Sequence, residues 1–261
     1  MRTENPFRSR QALENSSYAR LDGSRLVRLA EPGDPSAVQS FIHDSLRAVL
    51  LSSSYPCFGA QAAVRSGRYA MGLYEELGSG AASEGLAHDL FEFTLEQDAW
   101  GPRLSTFLAC FASPPALDEP AFERALWEQL QALHDLDRRH HAWDPAVSHD
   151  PANPHFSFSF ASRAFFVVGL HAANSRWSRR FAWPTLAFNA HRQFEGLRIR
   201  RQLTTMQKRI RRRDQALQGT LNPNLSEFGL VSEARQYSGR AVEPSWRCPF
   251  RPQPDEIEES A

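Results

Sequence analysis

Apolar residues recur every three to four positions in several stretches of the chain, a spacing that is typical of amphipathic helices. The clearest stretch is 119–137, where the leucines fall on one face and a proline stands near the start. A second stretch, 36–51, begins at Ser36, and serine is a frequent residue at helix N-termini. The same spacing predicts helices over 86–96 and 192–218.

Shorter apolar runs bounded by turn residues predict strands. They lie at 68–77, 104–111, 156–160, 164–170 and 185–189. The run FSFSF at 156–160 alternates strictly, which indicates one buried face, whereas AFFVVGL at 164–170 is apolar throughout and indicates a strand buried on both faces. Strands that follow one another directly, with helices on either side, favour an α+β fold whose mostly antiparallel sheet is flanked by helices.

The two ends of the chain differ in composition from the middle. Residues 1–34 are polar, contain several arginines and lead into two closely spaced prolines, so we expect a flexible N-terminal arm. Residues 251–261 are acidic and contain two prolines, which predicts a disordered tail. No change of pattern divides the stretch between them, so residues 35–250 are expected to form a single domain.

Composition narrows the classes of partner. The 261 residues include 30 basic and 30 acidic side chains, a balance that argues against a protein built mainly to bind nucleic acid. The basic run at 208–213 contains no aromatic residue for stacking, so a solvated helix face is the preferred interpretation. No apolar segment is long enough to cross a membrane, and the N-terminus lacks the apolar core of a signal peptide. We therefore expect a cytoplasmic protein.

The three cysteines, Cys57, Cys110 and Cys248, are far apart and do not suggest a disulfide framework. Cys57 lies in the segment YPCFG. A thiolate in such an apolar loop could be an axial ligand of haem or a nucleophile. A small packed residue in a turn is the simpler interpretation, because free cysteine is among the most buried residue types.

The segment FFVVGLHAANSR places His171 at the end of an apolar strand, and Arg176, Arg179 and Arg180 follow it. A neutral imidazole in apolar surroundings is a suitable iron ligand, and arginines pair well with the propionates of haem. The alternative is a structural histidine at a strand end, followed by solvated arginines. Local spacing does not separate these two interpretations.

Five blocks of the sequence resemble the YqcI/YcgG family, within it most closely the branch typified by the haem-dependent pre-guanitoxin N-hydroxylase. The blocks lie at 55–63, 133–145, 156–198, 210–229 and 232–250, and they include YPCFGAQAA and SEARQYSGRAVEPSWRCPF. Together they comprise 104 of the 261 residues.

This resemblance implies a haem b enzyme that uses dioxygen and electrons from a separate reductase to hydroxylate a nitrogen of a small guanidino or amine metabolite. It makes His171 the first choice for the iron ligand and Cys57 the second. Candidates for binding haem propionates or a substrate carboxylate are Arg176, Arg179, Arg180 and Arg240. Candidates for an acidic partner of the substrate cation are Glu92, Asp98 and Glu233.

Other classes of function remain open at this point. A haem-based gas or redox sensor would bind the cofactor without turnover, and an interaction protein would use His171 only structurally. The aromatic strands are also compatible with a homodimer. The sequence alone gives neither the substrate nor the reductase.

Overall fold

The computed structural model describes residues 4–23, 25–28, 34–101, 103–113, 117–199, 201–226 and 229–257. The helices in these residues are α1 (Arg10–Asn15), α2 (Ala37–Leu51), α3 (Phe58–Arg65), α4 (Gly80–Trp100), α5 (Glu119–Asp137), α6 (His191–Ile199), α7 (Leu203–Gln218) and α8 (Ala234–Tyr237). The strands are β1 (Ala19–Asp22), β2 (Arg25–Arg28), β3 (Tyr69–Glu76), β4 (Thr106–Ser113), β5 (Phe158–Phe160), β6 (Arg163–Leu170) and β7 (Thr185–Ala190). None of the described helices is both long and apolar enough to cross a membrane.

The seven strands form one sheet in the order β2-β1-β3-β4-β7-β6-β5. Every neighbouring pair is antiparallel except β3 and β4, which are parallel. Parallel neighbours need a long crossover connection, and the 21-residue helix α4 provides it. The predicted α+β class, with a mostly antiparallel sheet flanked by helices, is confirmed.

Each face of the sheet carries its own layer of helices. Because side chains alternate along a strand, Phe165 and Val167 of β6 face the aromatic core formed with α4, α5 and α8. Val168 and Leu170 face the opposite side, in a smaller cluster that includes residues of α2 and α3. Neighbouring residues of one strand therefore lie on opposite sides of the sheet and cannot line the same site.

The helix caps agree with the sequence. Ser36 accepts a hydrogen bond from the backbone N–H of Gln39 at 3.1 Å and begins α2, while Asp118 accepts one from Ala121 at 2.8 Å and begins α5. The bounds of α5 match the predicted range. Helix α3 was not predicted.

The N-terminal residues correct the expectation of a flexible arm. Residues 10–15 form α1, and β1 and β2 extend the sheet beyond β3. Phe7 is buried and stacks on Phe160 with ring centroids 5.1 Å apart, so it seals the aromatic core. The remainder of the predicted arm, residues 1–3, 24 and 29–33, lies outside the described residues.

Three further expectations change. The run at 156–160 is buried on both faces instead of one, because Ser159 accepts a hydrogen bond from the backbone N–H of Asp144 and Ser157 donates one to Glu233. The helix predicted over 192–218 is two helices, α6 and α7, separated near Arg201, which has a left-handed φ of 55°. The predicted tail follows α5 as far as residue 257, where Glu256 pairs with Arg138, and residues 258–261 lie outside the described part of the chain.

Candidate functional site

A cavity of about 310 Å³ lies on the sheet face opposite the aromatic core. Its floor consists of alternate residues of three neighbouring strands, namely Thr106 and Leu108 of β4, Phe166, Val168 and Leu170 of β6, and Ala187 and Asn189 of β7. Most of these side chains are apolar, and the volume is at the lower end of the range found for small-molecule sites. The sheet therefore presents a mostly apolar surface with two polar side chains, Thr106 and Asn189.

Helices α6 and α7 form the roof of this cavity. Phe194 of α6 and Leu203, Met206 and Ile210 of α7 are among its lining residues. The three residues of α7 are three or four positions apart and therefore share one face of the helix. The C-terminal half of α7 is attached to the domain through Asp214, whose carboxylate pairs with Arg176.

Cys57 lines the cavity from the wall formed by α3. It is the residue before the first turn of α3, and its Sγ accepts a hydrogen bond from the backbone N–H of Ala60 at 3.4 Å. Burial raises the pKa of this thiol, while the N–H groups of Ala60 and Gly59 and the charge of Arg179 act in the opposite direction. The same groups would stabilise a thiolate once a metal or an electrophile engages the sulfur.

Arg179 also lines the cavity and is half-buried. Its guanidinium donates to the backbone carbonyls of Gly169 at 3.1 Å and Gln236 at 3.2 Å, so the cation is held by neutral acceptors. Burial lowers the pKa of this arginine, and Tyr55, Cys57 and Asp214 raise it. A fixed positive charge thus stands at the cavity wall beside Cys57 and favours an anionic ligand group.

Glu233 contributes an acidic group to the same cavity. Its Oε1 lies 2.6 Å from the hydroxyls of both Ser157 and Tyr237. Each hydroxyl also lies within reach of the Phe165 carbonyl oxygen, at 3.2 and 3.1 Å, and each has a single proton to donate. Burial raises the pKa of Glu233 to about 8, so the carboxyl is mostly protonated at neutral pH.

His171, the first choice for an iron ligand, is not among the residues that line this cavity. It follows β6 directly and has the parity of Phe165 and Val167, which point to the other face. There its ring stacks on Phe122 of α5, with centroids 4.3 Å apart, and its Nε2 lies 3.2 Å from Nδ2 of Asn174. The sheet therefore separates His171 from Cys57, and of these two residues only Cys57 lines the cavity.

The remaining predicted arginines also lie away from the cavity lining. Arg176 is buried against Asp214, and Arg180 stacks over the Trp177 ring at 4.0 Å. Arg240 lies in a different groove beside α5 and pairs with a glutamate of that helix. Of the four predicted arginines, only Arg179 is placed to contact a ligand in this cavity.

Two of the three predicted carboxylates are engaged elsewhere. Glu92, in the second half of α4, accepts a hydrogen bond from the side-chain amide of Asn5 at 3.0 Å and does not line the cavity. Asp98 is half exposed and pairs with Arg163 and Arg192 on the surface, which holds the pKa of its carboxyl below the ordinary value. Glu233 is the predicted carboxylate that the fold brings to the cavity.

His191 is a lining residue that the sequence analysis missed. It is the first residue of α6, directly after β7, and burial lowers the pKa of its imidazole. A neutral imidazole at this place can act as a hydrogen-bond partner or ligand. The available signal was the position directly after a buried strand, which His191 shares with His171.

The donors around the cavity fit the chemistry of haem b. A haem needs an axial ligand, apolar surfaces for the porphyrin and cations near its propionates. Cys57 supplies a sulfur donor, the strand residues supply the apolar surface, and Arg179, Arg198 and Arg211 are lining cations.

Comparison with known proteins gives one match. The family model for the YqcI/YcgG family matches residues 46–251, which is most of the chain. Neither a curated protein nor a solved structure matches the sequence. The matched range includes Cys57, Arg179, His191 and Glu233, together with the whole roof formed by α6 and α7. The chain belongs to the YqcI/YcgG family.

Proposed function

We propose that this protein is a haem-dependent monooxygenase that hydroxylates a nitrogen of a small guanidino or amine metabolite, as in the N-hydroxylase branch of its family. The reaction converts an N–H bond to N–OH. One atom of dioxygen enters the product, and the other leaves as water after taking up two electrons and two protons. The electrons come from a separate reductase, since the chain has no recognisable flavin or nicotinamide motif.

The juxtaposition of Cys57 and Arg179 in one apolar cavity is the observation that carries this proposal. A sulfur at the N-terminus of a helix, with a backbone N–H pointing at it, is suited to remain a thiolate on iron. The nearby half-buried guanidinium favours the same charge state. Cys57 is therefore the residue that would hold the iron.

The propionates of haem would be held by the arginines of the cavity. Arg179 is half-buried and held by backbone carbonyls, so it would lose little freedom when it binds an anion. Arg198 of α6, which pairs with Glu195, and Arg211 of α7 are further basic residues of the cavity lining. When bound, haem would supply the iron at which dioxygen is activated.

Glu233 is the proposed recognition group for the substrate cation. A guanidinium binds a carboxylate through two parallel hydrogen bonds, which fixes the direction of its nitrogen atoms. Approach of the cation favours the ionised form, so the carboxyl gives up its proton on binding. The apolar strand residues and the roof formed by α6 and α7 exclude water from the reacting nitrogen.

The decisive experiment combines isotope labelling with a spectrum. The full-length protein, produced with a haem precursor and supplied with a ferredoxin-type reductase system, is incubated with guanidino compounds under isotopically labelled dioxygen. We expect a product heavier by one labelled oxygen atom, formed only by protein that shows a Soret band. A Soret band without any product from guanidines or amines would favour the alternative of a haem-based sensor, and the absence of haem would refute both.

A further inference from the structure

Helix α7 has two chemically different faces. Met206 and Ile210 line the cavity, whereas Lys208, Arg209 and Arg212 are exposed on the outward side. We call these three exposed cations the α7 basic face. The helix contains no buried residue, so it lies on the surface as a thin cover over the site.

Positive charge is strongly concentrated around this helix. Residues 192–213 include nine basic side chains and one acidic one, although the whole chain has a formal net charge of zero. Within the part of the chain that the structure describes, no carboxylate pairs with Lys208, Arg209 or Arg212. Lys208 and Arg212 are four positions apart, so their repulsion destabilises the helix unless an external anion compensates it.

A second surface with many arginines, the groove beside α5, differs from the α7 basic face in its acidic residues. That groove also contains Glu123, Glu128 and Asp135, so its cations have acidic neighbours. Charge complementarity to an acidic partner is therefore a property of the α7 basic face in particular.

The α7 basic face is also close to the proposed ligand. Arg213 donates to the backbone carbonyl of Ser53, and its guanidinium lies over the Phe58 ring at 4.5 Å. Phe58 directly follows Cys57, so α7 packs against the start of α3. A partner bound to the outer face is separated from the cavity by one helix, about 10 Å in diameter.

We propose that the α7 basic face is the docking surface for an acidic electron-carrier protein that delivers single electrons to the cavity beneath it. Each transfer would oxidise the carrier by one electron and pass that electron to the cofactor in the cavity. Two transfers would supply the two electrons that the hydroxylation consumes, and the two protons would come from solvent. This inference rests on the proposed function, because only a redox cofactor in the cavity requires such a partner.

Nucleic acid is the less suitable occupant. Residues 203–218 contain no aromatic side chain, so α7 offers no platform on which bases could stack between the cations. A folded acidic protein needs only complementary charge and a short path to the cavity.

The test is binding of a plant-type [2Fe–2S] ferredoxin, an acidic one-electron carrier, to the full chain, measured by calorimetry at several salt concentrations. The variant Lys208→Glu/Arg209→Glu/Arg212→Glu reverses the charge of the α7 basic face. The matched control, Arg124→Glu/Arg139→Glu/Arg247→Glu, makes the same change of charge at exposed positions beside α5. We expect the first variant to weaken binding by about tenfold or more and to reduce the salt dependence, and the control to stay within about twofold of wild type.

Equal weakening in both variants would overturn the assignment of the docking surface, and so would unchanged binding in the first variant. If wild type binds duplex DNA or anionic vesicles but not ferredoxin, the partner class is wrong. The absorption spectrum, which shows whether haem is bound, distinguishes failure of the docking surface from failure of the proposed function. Haem without salt-sensitive carrier binding refutes only the docking surface, whereas carrier binding without haem refutes the proposed function.

Discussion

The ring of His171 stacks on the ring of Phe122, with centroids 4.3 Å apart, on the side of the sheet that faces away from Cys57. The imidazole is almost fully buried, and burial lowers its pKa. Stacking of this kind stabilises the packing of α5 on β6. The proposed iron ligand, Cys57, lies on the opposite face, so the role we propose for His171 is structural.

We predict that His171→Ala loses stability but keeps haem. Removal of a buried aromatic ring leaves a cavity against Phe122 and should cost about 2–4 kcal/mol in the free energy of unfolding. The Soret band of the folded variant should match that of wild type, and urea unfolding gives the loss of stability. The substitution His171→Phe, which keeps a stacked ring, is the control. A folded His171→Ala protein that cannot bind haem would restore His171 as the ligand.

A second prediction concerns the pH dependence of substrate binding. Glu233, with a pKa of about 8, is mostly neutral at pH 6.5, so binding of a cation there requires release of a proton. Affinity for a guanidinium compound should therefore rise with pH by about tenfold between pH 6.5 and 7.5 and level off above the pKa. Calorimetry with methylguanidine, in buffers of different ionisation enthalpy, measures both the affinity and the proton released.

The control for this pH effect is Glu233→Gln, which keeps the size of the side chain but cannot ionise. Its residual affinity for methylguanidine should be weak and independent of pH in the same range. If wild type and Glu233→Gln show the same pH profile, another group recognises the cation.

A third prediction links Arg179 to the thiol of Cys57. The charge of Arg179 lowers the pKa of this thiol against the effect of burial. In haem-free protein, Arg179→Met should therefore slow alkylation of Cys57 at neutral pH several-fold. The three backbone carbonyls that accept hydrogen bonds from Arg179 also lose their donor, which should cost roughly 3 kcal/mol of stability.

Alkylation is followed by mass spectrometry of the peptide that contains Cys57. Arg124→Met, at an exposed position on α5, serves as the control and should change neither the rate nor the stability. A rate that Arg179→Met leaves unchanged would show that the two groups do not interact electrostatically.

A fourth prediction tests whether the N-terminal helix belongs to the folded domain. A Cβ added at Gly85 of α4 would lie 2.3 Å from the carbonyl oxygen of Asn15, at the end of α1. Gly85→Ala should therefore displace α1 and lower the melting temperature by several degrees. Gly80→Ala, in the same helix with no atom within 4 Å of the added Cβ, should be neutral or slightly stabilising. Equal melting temperatures for the two variants would indicate that α1 does not pack here.

The elements with strong periodicity were predictable from the sequence. The range of α5 and the approximate positions of β3, β4, β6 and β7 follow from hydrophobic spacing and turn residues. The pairing of β1 with β3 was not predictable, because its polar four-residue strand is stabilised mainly by long-range contacts. Short strands of this kind give little local signal.

The candidate site was predictable only in part. Alternation along β6 separates His171 from Phe166, Val168 and Leu170, but it does not reveal which face carries a cavity. The cavity forms because α7 folds back over the sheet after the break near Arg201. No proline or glycine at this break indicates a turn in the sequence. Cys57 was recognised as chemically capable, yet its role as the cap of α3 appears only in the folded chain.

The most direct test is the absorption spectrum of the ferrous, carbon monoxide-bound protein, recorded for wild type and for Cys57→Ser. If Cys57 is the axial ligand, wild type should show the long-wavelength Soret band of thiolate-ligated haem, and Cys57→Ser should lose that band or fail to retain haem. A wild-type spectrum typical of imidazole ligation that Cys57→Ser leaves unchanged would contradict the assignment, and a colourless wild-type protein after haem reconstitution would contradict the haem enzyme itself.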